Sequence, residues 1–300
     1  MDLKEQFRKR MQRPGGELLL TPLVTDPFSA LLAQRAGFDT VYLGGGSLGY
    51  VLGVSEALLT ANEMADALRR ITDRTDLAVI VDGGVGFGDA VHVKRTIEII
   101  ENAGAVGIEI EDQIAPKRAH HHKDVEHLVS TEEMVGKIKA AIDARRSDNF
   151  VIIARCNAPQ IEGIDRSLER AQAYTDAGAH VAMLRARNDE EWEQISKRTT
   201  VPLATLASWT MKPAAEMQSG GYRLIMDPNS ITVLTYHALS QGYANMKAGK
   251  GYGPSRDDIN QAMLDVRELV GLEELYEIEA QTTEKETLAA MAAGVTNRLY

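Results

Sequence analysis

The chain has a single cysteine, Cys156, among its 300 residues. No disulfide can form within it, which excludes a small stapled secreted fold and suits a reducing compartment. No run of about 18 apolar residues occurs, so no membrane-spanning helix is expected. No run of lysine and arginine resembles a nucleic-acid footprint and the net charge is −10, which disfavours nucleic acid as a partner. The first residues, Met1 to Arg8, are charged and lack the apolar core of a signal peptide. The expectation is a cytoplasmic protein with no membrane partner. What is present is ordinary for a soluble globular chain: 44% hydrophobic and 25% charged residues, over a length that suits one large domain or two small ones.

A pattern recurs along the chain: an amphipathic helix, a small residue with glycine, then an apolar strand. Ala36-Gly37 precedes Thr40–Leu43, Ala103-Gly104 precedes Val106–Ile110, Ala177-Gly178 precedes Val181–Leu184, and Gly220-Gly221 precedes Arg223–Met226. Glycine just past a helix end supplies the left-handed turn back toward a sheet. Further apolar runs at Leu18–Leu20, Ala78–Asp82, Phe150–Arg155 and Val201–Leu206 bring the total to eight strands. Helices are expected between them at about 28–36, 61–71, 89–103, 131–145, 164–177, 189–198, 212–218 and 230–247, units of the size of a βα repeat. Thr60 with Glu63 and Ser130 with Glu133 read as capping boxes. Near-continuous apolar strands alternating with helices argue a parallel sheet, and eight units argue an α/β fold of the (β/α)8 TIM-barrel type over residues 1–250. A doubly wound open sheet is the alternative. Gly251-Tyr252-Gly253-Pro254 is a linker, and residues 251–300 read as a helical extension that docks on the barrel or on a neighbouring subunit.

In such a barrel the residues just past each strand's C-terminal end face the site. They are Gly44-Gly45-Gly46-Ser47, Asp82, Glu111-Asp112, Arg155, Arg185 and Asp227 with Asn229. Acids on neighbouring strands suit a hard cation such as Mg²⁺, and arginines suit carboxylate or phosphate oxygens. Asp82 is read as functional rather than a simple turn cap. Arg155 suits pairing with Glu111 as well as it suits a substrate. The glycine run on its own reads equally as a tight turn, the His120-His121-His122 run as an exposed loop, and Cys156 as a small buried apolar residue.

The ordered set Gly44–Gly46, Val81-Asp82-Gly83-Gly84-Val85-Gly86-Phe87-Gly88, Ile110-Glu111-Asp112-Gln113, Pro116-Lys117-Arg118, Ser130–Met134 and Ile153-Ala154-Arg155 resembles the isocitrate lyase/phosphoenolpyruvate mutase superfamily. It is nearest to the 2-methylisocitrate lyase and phosphonomutase-like branches, over about residues 5–285. The resemblance implies a barrel whose last helix is swapped between subunits of a homodimer or homotetramer. It also implies Mg²⁺ or Mn²⁺ and a small 2-oxo or 2-hydroxy acid handled through an enolate. By position it implies Asp82 as metal ligand, Glu111 and Glu56 as acids on the metal side, and Arg155 with Gly44, Gly45 and Gly46 as substrate-binding groups. Lys117 and His121 fall on the catalytic loop.

The departures from the family pattern are specific. Gly84 stands where the family has a second metal-side acid. Ala119 replaces the loop cysteine that transfers a proton, which makes His121 the first substitute. Arg185 replaces an acid, and no equivalent of the usual Asn and Glu is visible in Thr205–Thr210. Losing an acid and gaining a cation makes the site more positive; charges about 4 Å apart interact by roughly 4 kcal/mol at an intermediate dielectric. The expectations are weak metal binding, Arg185 among the substrate-binding residues, and a more anionic substrate carrying an extra carboxylate or a phosphonate. The leading function is a metal-dependent carbon–carbon lyase or decarboxylase acting on a di- or tricarboxylic acid. A phosphonate-bond mutase or hydrolase is the alternative, and a non-catalytic carboxylate-binding protein is the third reading.

Overall fold

The computed structural model describes residues 2–12, 16–123, 125–207 and 212–292; Ser208, Trp209 and Thr210 of the segment considered above lie outside them. The strands are β1 (Leu19–Thr21), β2 (Leu23–Val24), β3 (Thr40–Leu43), β4 (Ala78–Asp82), β5 (Gly107–Glu111), β6 (Val151–Cys156), β7 (Val181–Leu184), β8 (Leu203–Leu206) and β9 (Tyr222–Met226). The helices are α1 (Leu3–Arg10), α2 (Pro27–Arg35), α3 (Gly45–Val51), α4 (Ala61–Thr72), α5 (Ala90–Asn102), α6 (Thr131–Ala144), α7 (Ile164–Asp176), α8 (Asp189–Arg198), α9 (Ala214–Ser219), α10 (Ser230–Lys247), α11 (Arg256–Leu269), α12 (Leu272–Gln281) and α13 (Lys285–Ala292).

All strand pairs are parallel, in the order β1-β9-β8-β7-β6-β5-β4-β3-β2. The two ends of that order, β1 and β2, are successive pieces of one extended segment. The sheet therefore curls into a nearly closed α/β barrel of the TIM type, with helices following the strands. Eight strands were expected and nine are found because Pro22 divides the first. Proline has no amide hydrogen and interrupts a ladder. Its carbonyl still accepts from the Tyr42 amide at 3.0 Å, while Asp227 N donates to Thr21 O at 3.0 Å on the other side.

Alternation along the strands sorts the core into two layers. Tyr42, Ile80, Ile153, Met183, Leu224 and Met226 point inward and pack together with Phe7 and Met11 from the α1 segment. Val41, Val79, Val81, Ile108, Ile110 and Ile152 point outward, onto Leu68, Ile71, Ile97 and Ile138 of the helices. Parity then carries Asp82, Glu109, Glu111 and Arg155 to the inner face. The Thr60–Glu63 capping box forms in full; at Ser130 the hydroxyl accepts from the Glu133 amide at 3.1 Å.

The chain divides into compact units at residues 1–236 and 237–300. Among the described residues of the second unit, which are largely helical, no apolar side chain is buried; Tyr243, Met263, Leu264 and Ile278 are exposed. No helix among the described residues is long and apolar enough to cross a membrane.

One buried acid fixes the connection from α6 to β6. Glu101 accepts from Arg146 N at 2.7 Å and Ser147 N at 3.0 Å, and pairs with Lys4 at 3.2 Å. Glu101→Ala leaves those amides without their acceptor and is expected to cost about 2–4 kcal/mol of unfolding free energy. Urea denaturation measures it, and a loss below about 0.5 kcal/mol contradicts this role.

Candidate active site

The C-terminal end of the barrel carries a charged layer built by strand register. Asp82 lies beside Glu109 across β4 and β5, and Glu111 beside Arg155 across β5 and β6. Glu109 and Glu111 are two residues apart, so both turn inward, whereas the intervening Ile110 joins the outer core. Asp112 turns the other way. It is fully buried, accepts from Asn157 N at 2.9 Å and Tyr174 OH at 2.8 Å, and so ties the end of β5 to α7. Of the two adjacent acids singled out in the sequence, Glu111 faces the site and Asp112 supports it.

Glu111 is fully buried among cations. Lys117 Nζ stands 2.6 Å from Oε1 without hydrogen-bond geometry, while Asn157 Nδ2 donates to Oε2 at 3.2 Å and Arg155 Nε lies at 3.5 Å. Burial works to raise its pKa, but Lys117 and Arg155 outweigh burial and hold it below the ordinary value. Arg155 also donates to Glu109 at 2.9 Å and to Asn157 Oδ1 at 3.1 Å. Glu109 accepts from Tyr42 OH at 3.1 Å, and burial pushes its pKa up to about 7 against the pull of Arg155.

Asp82 accepts from the Gly45 amide at 3.0 Å and the Gly84 amide at 2.8 Å. Burial and the nearby Glu56 carboxylate raise its pKa. Gly44 is the N-cap of α3, and Gly45 and Gly46 open that helix. The glycine run thus begins a short helix as well as making a turn. Close approach favours glycine here: a Cβ at Gly46 would lie 3.1 Å from Glu56 Oε2, and one at Gly45 3.2 Å from Asp82 Oδ2, so those carboxylates would have to shift by a few tenths of an ångström.

The loop after β5 folds back onto these acids. Lys117 Nζ bridges Glu56 at 2.5 Å and Glu111 at 2.6 Å, and His121 Nε2 meets Glu56 at 2.5 Å. His121 Nδ1 lies 2.6 Å from Arg118 O, so both ring nitrogens are engaged. Burial opposes the charged imidazole, but the contacts with Glu56 and with Arg118 O together outweigh it and raise the His121 pKa. His122 packs on His121 with centroids 3.9 Å apart and the rings tilted by 40°, and lies 3.2 Å from Ser55 Oγ and 3.4 Å from Tyr50 OH. The histidine run is therefore anchored at two of its members.

Three adjoining lobes line this end of the barrel. The first, about 130 Å³, holds Asp82, Glu56 and Lys117 against Phe87 and Met64. The second, about 170 Å³, holds Gly44, Gly46, Ser47, Asn229, His121 and Arg155. The third, about 150 Å³, holds Arg155, Asn157, Gln160 and Arg185. Asp82, Glu56, Glu111, Lys117, His121 and Arg155 are thus brought together, and Arg185 stands apart in the third lobe.

The phosphoenolpyruvate phosphomutase family model matches residues 7–247. The chain belongs to that family, within the phosphoenolpyruvate mutase/isocitrate lyase superfamily. It is 34% identical to 2,3-dimethylmalate lyase of Eubacterium barkeri, over 88% of this chain and 93% of that protein. It is 35% identical to 2-methylisocitrate lyase of Aeropyrum pernix, over 74% and 76%. A crystal structure of 2,3-dimethylmalate lyase superposes with a TM-score of 0.83 at 28% identity, covering 94% of this chain and 95% of that one. Phosphonopyruvate hydrolase in complex with oxalate and Mg²⁺ superposes at 0.81 with 26% identity, over 94% and 100%.

The acids suit a hard cation of the kind that last complex contains. Among the described residues no three His, Cys, Asp or Glu side chains converge as a ready-made cage. Mg²⁺ does not require one, since it keeps several waters and takes one or two carboxylates directly. Glu111 Oε1, buried and paired with Lys117 at 2.6 Å without hydrogen-bond geometry, is an oxygen donor of the right chemistry. Lys117 supplies the cation that the acids share in this structure.

Glu109, Tyr42 and Asn157 were missed in the sequence. An acid amid the apolar residues of Gly107–Glu111 was the available signal for Glu109; nothing marked Tyr42 or Asn157. Gly84 has φ +50° with open space where a Cβ would lie, and aspartate tolerates that conformation better than most residues. Gly84→Asp is therefore expected to tighten Mg²⁺ by about tenfold or more in calorimetry, equivalent to about 1.4 kcal/mol. Unchanged affinity argues against a cation beside Asp82.

Proposed function

We propose that the protein is a metal-dependent carbon–carbon lyase acting on a small 2-hydroxy or 2-oxo di- or tricarboxylic acid. The observation that carries this reading is the facing of Asp82, Glu56 and Glu111 against Arg155 at one end of the barrel, on a chain related to two such lyases. Asp82 would hold Mg²⁺ or Mn²⁺ directly, with Glu56 and Glu111 reaching it through water. When bound, the cation supplies polarisation of the substrate's oxygen and stabilises negative charge that develops there.

The chain's own residues supply the rest. Arg155 binds the substrate carboxylate and is held in orientation by Glu109, Glu111 and Asn157. The backbone at Gly44, Gly45 and Gly46 allows the acid to approach closely. In the cleavage the 2-hydroxyl gives its proton to a solvent water and becomes a carbonyl. The electron pair of the broken C–C bond passes to the leaving carbon, whose own carboxylate spreads it as an enolate. That carbon then takes a proton. His121 stands on the loop where Ala119 offers none, and it is the donor in this reading. Lys117 keeps Glu56 and Glu111 together beneath it.

The alternative is a phosphonate-bond mutase or hydrolase, favoured by Ala119 and by the fold match to phosphonopyruvate hydrolase. A swapped-helix homodimer or homotetramer is part of the proposal, supported by the exposed Tyr243, Met263, Leu264 and Ile278. A cytoplasmic location follows the same reading.

Incubation with 2,3-dimethylmalate, 2-methylisocitrate, oxaloacetate and phosphonopyruvate, with Mg²⁺ or Mn²⁺ and products followed by NMR, tests the function. Cleavage of either of the first two is expected. Phosphate from phosphonopyruvate alone establishes the alternative, and no turnover of any leaves a carboxylate-binding protein. His121→Ala is expected to lower kcat by about 10²–10⁴-fold with little change in KM; an unaltered kcat removes His121 from the proton step.

A further inference from the structure

The third lobe shares Arg155 and His121 with the second and has a cation of its own, Arg185. Along β7, Val181 and Met183 point into the barrel, and Ala182 and Leu184 point out. Arg185 follows directly after the strand, is exposed, and lines the wall of the 150 Å³ lobe together with Met183. Its electrostatic situation differs from that of its neighbours. Arg155 is already offset by Glu109 at 2.9 Å and Glu111 at 3.5 Å. Arg187 donates to Glu191 at 2.7 Å, and Lys212 lies 2.9 Å from Asp189. Arg185 makes no hydrogen bond or ion pair among the described residues.

The geometry points to Arg185 as the specificity residue for a second carboxylate on the substrate, remote from the bond that breaks; this rests on the lyase reading above. A substrate whose first carboxylate lies on Arg155 can extend along either lobe that this arginine lines. Toward the second lobe an anionic arm meets Asp82 and Glu56 beside His121. Toward the third it meets the unengaged guanidinium, which matches a carboxylate with two parallel hydrogen bonds. Asn157 and Gln160 on the same wall supply neutral donors. Glu126 also lines the lobe, so the local charge suits a singly charged carboxylate better than a dianionic phosphonate. The acid-to-arginine exchange at 185 thereby takes on a purpose: it selects a longer, more anionic acid.

The test compares two probes on wild-type protein, R185Q and R185E by calorimetry in Mg²⁺. Oxalate occupies the first carboxylate position and has no distant arm; isocitrate, a 2-hydroxytricarboxylate, has one. In R185Q, isocitrate is expected to weaken by about tenfold or more, the worth of a charge-assisted pair, with a larger loss in R185E. Oxalate is expected to bind all three within about twofold, which also shows that the variants fold. Equal isocitrate affinity in wild type and R185Q, with oxalate binding intact, overturns the assignment of Arg185 alone. Failure of wild type to bind oxalate overturns the lyase site and the subsite together.

Discussion

A parallel strand buried on both faces has two directions for its side chains, and closure of the sheet makes one of them the inside of a barrel. Everything at the site depends on that constraint. It sends Ile80 and Ile153 into the interior and then, one pleat higher, Asp82 and Arg155. Charged groups thereby share a small, poorly hydrated space whatever their individual preferences. Each must find a counter-charge there, because an unpaired buried ion is far more costly than a paired one.

The pairing found is economical. Glu109, Glu111, Arg155 and Lys117 neutralise one another, with Tyr42 and Asn157 taking remaining lone pairs and donors. The network reaches the helical layer through Asp112, Tyr174 and Arg170, where Tyr174 donates to Asp112 and Arg170 to Tyr174 at 3.1 Å. Arg155 is thus positioned before any ligand arrives, which lowers the entropy cost of binding an anion. Arg185 lies outside this network and makes no ion pair among the described residues.

The barrel was legible in the sequence because its signals are local. Apolar runs marked the strands from β3 to β9, with a preceding glycine at β3, β5, β7 and β9, and the expected 189–198 and 230–247 helices coincide with α8 and α10. Where local signals mislead, the fold departs. Glycine has low helix propensity, yet Gly44 caps α3 and Gly45 and Gly46 open it, where a Cβ on either of the last two would crowd the Asp82 and Glu56 carboxylates. At the site, Asp82 and Arg155 were legible from their place at strand ends, whereas Tyr42, Asn157 and the bridging of Glu56 by Lys117 were not. Those depend on where long side chains meet across strands and loops, which no local pattern encodes. The inward turn of Glu109 was readable by parity from Glu111 but hidden by the convention of looking only past the strand end.

The split at Pro22 bears on how the barrel comes into being. Each strand from β3 to β9 can pair with its predecessor as the chain lengthens, since neighbours in the sheet are neighbours in sequence. The seam differs: Leu19–Thr21 pairs with Leu224–Met226, and that contact spans most of the first unit. No closed ring can exist on the ribosome until Met226 has emerged. Until then the growing sheet has two open edges, with unpaired backbone groups and inward-facing apolar rows exposed together. A long loop must then close in a single step, so the slow and aggregation-exposed stage of folding is the sealing of one seam rather than the making of any strand.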